Sequence, residues 1–200
     1  MVKKRDKPYI WVTWVVDVMS GKVPCHWKYH FKALNQQENQ DKRVLESDLN
    51  SWRIKHTKLL TELRKDLQEN KKQHKAELNL KLDFDGKCLI AGKADCVEES
   101  VDEVVYYDCK TGARDEAHKV QLQIYMWMDK KLKLHPDKIL RGELIYGEQH
   151  LSVPEPDENF EKGLQYFIEQ ILDTNALKSS GDCCKNCDIM VKDCPDCVAN

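Results

Sequence analysis

An aspartate and a lysine lie two residues apart where a run of apolar residues ends, at Asp108 and Lys110. Because side chains alternate along an extended strand, both would leave the same face of that strand. A second acid, Asp95, lies near the end of the preceding strand-like segment, and an antiparallel neighbour would bring its carboxylate beside that of Asp108. The spacing therefore predicts two converging carboxylates with a lysine alongside.

Two carboxylates and a backbone carbonyl form the hard-oxygen site that Mg²⁺ or Mn²⁺ prefers. Such an ion acts as a Lewis acid and supplies hydroxide for attack on a phosphodiester, while a neighbouring lysine positions or activates the water. Without a cation, two adjacent acids repel each other and are costly to bury. An Asp-x-Lys triplet also arises by chance as an exposed ion pair, so the triplet alone leaves both interpretations open.

The segments that must position these acids have strand character. Residues 76–84 alternate between polar and apolar side chains, and Asp85-Gly86 predicts a tight hairpin turn. A second strand over 87–97 would return antiparallel, and a third over 103–110 is apolar enough to lie centrally in a sheet. Periodicity and turn residues predict helices over 8–20, 25–35, 41–70, 115–131 and 157–176, and two further strands over 139–146 and 149–153.

This order predicts a mixed α/β core in one domain over residues 1–200. Within it, 1–75 form a helical, basic flank, 76–153 the catalytic sheet and helix, and 154–200 a C-terminal helix with a cysteine-rich tail. Residues 1–80 hold 17 Lys and Arg against 10 Asp and Glu, while 81–200 hold 15 against 24. A basic half beside an acidic half suits a polyanion partner and a divalent metal, although two ordinary solvated surfaces would show the same charges.

The apolar run near the N-terminus does not favour a membrane segment. Asp17 interrupts it, and it is far shorter than the ~20 residues that span a bilayer. No phosphate loop of the form G-x-x-x-x-G-K-[ST] occurs, so a helicase motor is not expected. The sequence predicts a cytoplasmic protein without membrane association.

Three motifs in this order resemble the RecB-like branch of the PD-(D/E)XK nuclease superfamily. They are Gly92-x-x-Asp95, Asp108-Cys109-Lys110-Thr111-Gly112 and Gln121-x-x-x-Tyr125. The resemblance implies a restriction-endonuclease-like fold, a mixed β-sheet core flanked by helices. It also implies a metal-dependent deoxyribonuclease, and an exonuclease rather than an endonuclease is the preferred expectation.

The resemblance implies a role for each matching residue. Asp95 and Asp108 would bind Mg²⁺ or Mn²⁺ together with the carbonyl of Cys109. Lys110 would be the catalytic lysine. The Gln121 and Tyr125 side chains, one helical turn apart, would contact DNA or support the site. The alternative for that pair is a buried polar contact that ties the helix to the sheet.

The same resemblance leaves open which histidine binds the metal and whether a further acid belongs to the site. RecB-like nucleases usually have a metal-binding histidine on a helix before the first aspartate. His56 fits because it shares the apolar stripe of the helix 41–70, but His74 competes, and a lone histidine on an apolar face is more often a core residue. Glu77, on the polar face of the first strand, is a further candidate acid or a solvated strand residue.

The nine cysteines include a dense group near the C-terminus, which predicts a metal site more readily than disulfides in a chain without an export signal. Cys184-x2-Cys187 and Cys194-x2-Cys197 alone have the spacing of a compact zinc site with four thiolates. The alternative follows from a resemblance to CRISPR-associated and AddB-type exonucleases, which hold an iron–sulfur cluster with one N-terminal cysteine and three near the C-terminus.

That resemblance implies a 4Fe-4S cluster held by Cys25, Cys184, Cys187 and Cys194, joining the two ends of the chain. The sequence departs from those families because six residues separate the second and third C-terminal cysteines where five are usual. Cys183 and Cys197 are also surplus, so three of five tail cysteines remain to be assigned, and Zn²⁺ remains the alternative.

DNA, as single strands or duplex ends, is the expected partner, together with a helicase or other DNA-processing subunit. Trp27, Tyr29 and Trp52 in the basic half are candidates for stacking on unpaired bases, or else core residues. Two alternatives to an enzyme stay open. One is a nucleic-acid-binding module without catalysis, and the other is a zinc- or cluster-stapled subunit of a larger assembly.

Overall fold

The computed structural model describes residues 2–38, 49–185 and 187–196, and only the backbone of residues 49 and 50. The strands are β1 (Lys3–Lys4), β2 (Tyr9–Trp11), β3 (Asn35–Gln36), β4 (His74–Phe84), β5 (Cys88–Glu99), β6 (Glu103–Cys109), β7 (Ile139–Tyr146) and β8 (Gln149–Val153). The helices are α1 (Val12–Met19), α2 (His26–Leu34), α3 (Leu49–Glu69), α4 (Glu116–Leu132), α5 (Glu158–Leu172) and α6 (Asp182–Lys185). Among these helices, none is both long and apolar enough to cross a membrane.

Six strands form one mixed sheet in the order β2-β5-β6-β7-β8, with β4 paired to β5. β6 pairs antiparallel with β5 and parallel with β7, so α4 is the crossover between two parallel strands. β6 lies at the centre of this order, and its residues from Val104 to Cys109 are all buried. The predicted α/β core with a mixed sheet and flanking helices is confirmed.

The hairpin between β4 and β5 follows directly from its turn residues. Asp85 and Gly86 both adopt positive φ, 49° and 72°, which is the geometry of a two-residue turn matched to strand twist. The Lys87 amide donates to the Phe84 carbonyl at 2.8 Å and closes the turn. The period-two alternation in β4 is confirmed, because the residues at 80, 82 and 84 are buried while those at 79, 81 and 83 are exposed.

The first and last predicted helices were too long. Residues Tyr9–Trp11 form strand β2 instead, because this segment pairs with β5 in the sheet. Next to it, the Leu89 amide donates to the Pro8 carbonyl at 2.8 Å. α5 ends at Leu172, and the Asp173 carboxylate then accepts from the Asn175 amide at 2.8 Å, which forms a turn. The predicted helical residues 41–48 lie outside the described residues.

Helix α4 is buried on most sides, as its apolar circumference predicts. Asp115 caps it by accepting from the Ala117 amide at 2.9 Å, and Lys133 ends it in the left-handed conformation. The helix approaches β7 closely at Gly142, where an added Cβ would lie 3.1 Å from both the Leu122 Cδ1 and Val153 Cβ atoms.

We expect Gly142→Ala to lower the free energy of unfolding by about 1–3 kcal/mol, because Leu122 and Val153 are fully buried and cannot move aside. Gly163→Ala is the matched control, since nothing lies within 4 Å of a Cβ at that helical position. The control should gain about 0.5–1 kcal/mol from helix propensity. Urea unfolding of both variants tests this, and equal stabilities would contradict the close packing.

The chain forms two compact units. One comprises Met1–Ser47, Asp83–Ile90 and Lys162–Asn200, and the other comprises Asp48–Leu82 and Ala91–Glu161. The predicted nuclease residues all lie in the second unit, and the predicted cluster cysteines all lie in the first. Each unit is therefore described by itself below.

Candidate active site and cysteine cavity

The interior of β5 and the end of β6 bring the two predicted acids together. The strands are in register at Cys96 and Tyr107, so Asp95 lies at the next position, beside Asp108. The Asp95 Oδ2 atom accepts from the Cys109 amide at 2.8 Å. This bond holds the Asp95 carboxylate against the end of the central strand.

Asp108 is 2% exposed and contacts the lysine two residues on. Its Oδ2 atom lies 2.6 Å from Lys110 Nζ, a charge contact without well-directed hydrogen-bond geometry. Burial raises the pKa of Asp108 above its ordinary value, the Lys110 ammonium opposes that rise, and Asp95 adds to it. A buried carboxylate in this setting favours a cation beside it.

A polar chain connects Lys110 to helix α4. Lys110 Nζ donates to Gln121 Oε1 at 3.0 Å, and Gln121 Nε2 lies 3.4 Å from Asp108 Oδ1 and donates to the Tyr125 hydroxyl at 3.1 Å. The Tyr125 hydroxyl donates in turn to the Lys93 carbonyl at 3.0 Å. Tyr125 is 2% exposed, and burial raises the pKa of its hydroxyl. Gln121 and Tyr125 therefore tie α4 to β5, and the Gln121 side chain also accepts a hydrogen bond from Lys110.

Of the two candidate histidines, His56 lies in the site. His56 Nε2 lies 3.0 Å from Asp95 Oδ2, and this hydrogen bond raises the pKa of the imidazole. His74 lies at the start of β4, where its Nδ1 atom contacts the Lys72 carbonyl at 3.1 Å. Glu77 is exposed and forms an ion pair with Lys93 at 2.7 Å. The structure therefore places His56, and neither His74 nor Glu77, against Asp95.

The donor set at this site suits a divalent cation. It offers two carboxylates and an imidazole, and the buried Asp108 Oδ2 atom has no directed hydrogen bond. Here, however, His56 pairs with Asp95 and Lys110 with Asp108. Within the described ranges, no three His, Cys, Asp or Glu side chains are arranged to hold a metal ion. The two carboxylates that an ion would use are therefore paired with His56 and with Lys110.

The predicted cluster cysteines line one cavity of about 420 Å³. The four predicted ligands that line it are Cys25, Cys184, Cys187 and Cys194, and the surplus Cys183 lines it as well. No described cysteine is in a disulfide, and Cys197 lies outside the described residues. Lys28 and Lys178 also line the cavity, and only their closeness in sequence to the cysteines could have indicated this.

The three aromatic candidates for base stacking have different environments. Tyr29 is 3% exposed and donates to the Asp17 carboxylate, so it is a core residue, the second of the two roles expected for it. Trp27 packs on Phe31 at 5.3 Å beside the cysteine cavity, with Lys178 over its ring at 5.1 Å. Only Trp52 of the three is exposed, and its ring stacks on His56.

The fold has counterparts among known proteins. A family model described as the PD-(D/E)XK nuclease superfamily matches residues 26–191. The chain therefore belongs to the PD-(D/E)XK nuclease superfamily, whose nucleases use divalent metals such as Mg²⁺ or Mn²⁺. The crystal structure of SSO0001 has a similar fold, with a TM-score of 0.55 and 18% identity over 98% of this chain and 90% of that chain. No curated protein matches the chain.

Proposed function

We propose that this chain is a RecB-like deoxyribonuclease that uses Mg²⁺ or Mn²⁺ and trims DNA as an exonuclease. The observation that carries the proposal is the Lys110 ammonium, 2.6 Å from the Asp108 carboxylate and 3.0 Å from the Gln121 amide oxygen. The proposed substrates are single strands and duplex ends in the cytoplasm. The proposed partner is a helicase or other DNA-processing subunit, since no phosphate-loop motor is present in the sequence.

The side chains around Lys110 have distinct proposed roles. Asp95, Asp108, His56 and the Cys109 carbonyl would hold the divalent ion, which supplies Lewis-acid polarisation of the phosphate when bound. Lys110 places a positive charge where negative charge develops on the phosphate oxygens. Asp108 and Gln121 fix the direction of that ammonium.

Tyr125 is proposed as a positioning residue. Its hydroxyl bonds to the Gln121 amide and the Lys93 carbonyl, and its side chain is too buried to touch DNA. It therefore orients Gln121 and, through Gln121, the lysine. The sequence motif leaves two roles open for Tyr125, contact with DNA and support of the site. These contacts support the second role.

We propose a 4Fe-4S cluster in the cysteine cavity, held by Cys25, Cys184, Cys187 and Cys194, with Zn²⁺ as the alternative. The thiols line a cavity of about 420 Å³, and a cavity of this size supports a multi-iron cluster over a single tetrahedral ion. The cluster would join the N-terminal helix α2 to the C-terminal tail.

Degradation of end-labelled DNA by anaerobically purified protein tests the proposal. With Mn²⁺, we expect digestion of labelled single strands or duplex ends, and EDTA should stop it. The order in which labelled products appear distinguishes an exonuclease from an endonuclease. A protein that is inert with every divalent metal while its cluster is intact would instead be a binding subunit.

A further inference from the structure

We propose that Trp52 is a stacking platform for an unpaired base, which makes single-stranded DNA the substrate that this site engages. The inference rests on the proposed nuclease function and deepens it. The observation that supports the inference is that the exposed Trp52 indole lies against the His56–Asp95 pair.

The position of Trp52 relative to the candidate site is defined by helix α3. Trp52 precedes His56 by one helical turn, and the two rings stack with centroids 5.1 Å apart and planes 24° apart. His56 Nε2 lies 3.0 Å from Asp95 Oδ2. Trp52 therefore stacks on the same imidazole that is hydrogen-bonded to the Asp95 carboxylate.

The exposure of Trp52 is unusual for its residue type. Trp52 is 51% exposed, although large aromatic side chains bury most of their surface when they serve only the core. Farther along the same helix, Leu63 and Leu67 are 7% and 5% exposed and supply its core packing. The indole is thus available for a ligand, and the packing of α3 does not depend on it.

The charges around Trp52 suit a phosphate backbone. Arg53 and Lys55 are exposed, and neither has an acidic partner in the described part of the chain. Lys58, one turn on, pairs weakly with Glu62 at 3.8 Å. A flat aromatic face among cations is the combination by which proteins bind single strands without reading sequence, because every base has a face that stacks. Base pairs in a duplex interior offer no such face, so the ligand is an unpaired base.

The test measures binding of a fluorescein-labelled oligothymidine of about 12 nucleotides in EDTA, a length within the usual site size. We expect Trp52→Ala to bind on the order of 10-fold more weakly and Trp52→Phe to bind nearly as wild type. Trp11→Ala is the matched control, because Trp11 is also exposed, at 42%, and also packs against a ring, that of Tyr9. The control should bind as wild type.

Cleavage with Mn²⁺ separates the outcomes. The proposal predicts that Trp52→Ala loses more activity on the single strand than on an internal duplex nick, with Mn²⁺ binding unchanged. Normal oligothymidine binding by Trp52→Ala, while wild type cleaves DNA, would overturn the stacking role and leave the nuclease function standing. Loss of Mn²⁺ binding in Trp52→Ala would overturn it too, since the indole would then only support His56. A wild type that neither binds nor cleaves would overturn both proposals.

Discussion

Lys110→Ala is expected to reduce DNA cleavage by on the order of 10²–10⁴-fold, the range for removal of a group that acts in the transition state. Lys110 Nζ is the only cation held between the buried Asp108 carboxylate and the Gln121 amide among the described residues. Without the Lys110 ammonium, less positive charge is present to balance the negative charge that develops on the phosphate beside two carboxylates. Initial rates on end-labelled DNA with Mn²⁺ measure the effect.

Lys93→Ala is the matched control for that substitution. Lys93 also lies in the second unit, but its ammonium pairs with the exposed Glu77, so activity should remain near that of wild type. The control keeps the Lys93 carbonyl, which accepts from Tyr125. Cleavage that survives Lys110→Ala at the wild-type rate would mean that the site is wrongly assigned.

Cys184→Ala is expected to abolish binding of the proposed iron–sulfur cluster and to lower the melting temperature on the order of 10 °C, because the binding free energy of a structural metal centre is folding free energy. Cys184, Cys187 and Cys194 are 3%, 6% and 6% exposed and pack with Ile189 in one small cluster. This small apolar group has few other packing contacts that could compensate for the loss of the metal centre. Iron analysis, absorbance near ~400 nm and calorimetry on anaerobic protein measure the change.

Cys96→Ala is the control for that prediction. Cys96 is fully buried in the apolar core of the second unit, and burial raises the pKa of its thiol to about 11, so it stays neutral. Its truncation should cost about 1 kcal/mol and leave the iron content unchanged. Zinc in place of iron in the wild type would favour the alternative cofactor. Full iron content in Cys184→Ala would assign the ligand position to another tail cysteine.

Much of the fold could be predicted because local signals agreed with the tertiary structure. The alternation before Asp85-Gly86 and the apolar run ending at Asp108 each indicated one conformation. The start of α1 could not be predicted, because Tyr9–Trp11 is apolar enough for either a helix or a strand, and pairing with the sheet decides. The two-residue strands β1 and β3 are too short to give a periodic signal.

The candidate site was predictable where spacing along one element sets the geometry. Asp108 and Lys110 are two apart on a strand, and Gln121 and Tyr125 are four apart on a helix, so each pair must share a face. The choice between His56 and His74 depended on how α3 lies against β5, which no local pattern specifies. The choice between base stacking and core packing for Tyr29 likewise depended on tertiary structure, because its Asp17 partner lies on a different helix.

The measurement that tests the central claim most directly is Mn²⁺ binding, by electron paramagnetic resonance, to wild type and to Asp108→Asn, with DNA cleavage followed in the same samples. Asparagine keeps the shape of the side chain and removes its charge. We predict that wild type binds Mn²⁺ and cleaves, and that Asp108→Asn loses both. An Asp108→Asn variant that binds Mn²⁺ and cleaves as wild type does would contradict a metal-dependent site at the end of β6.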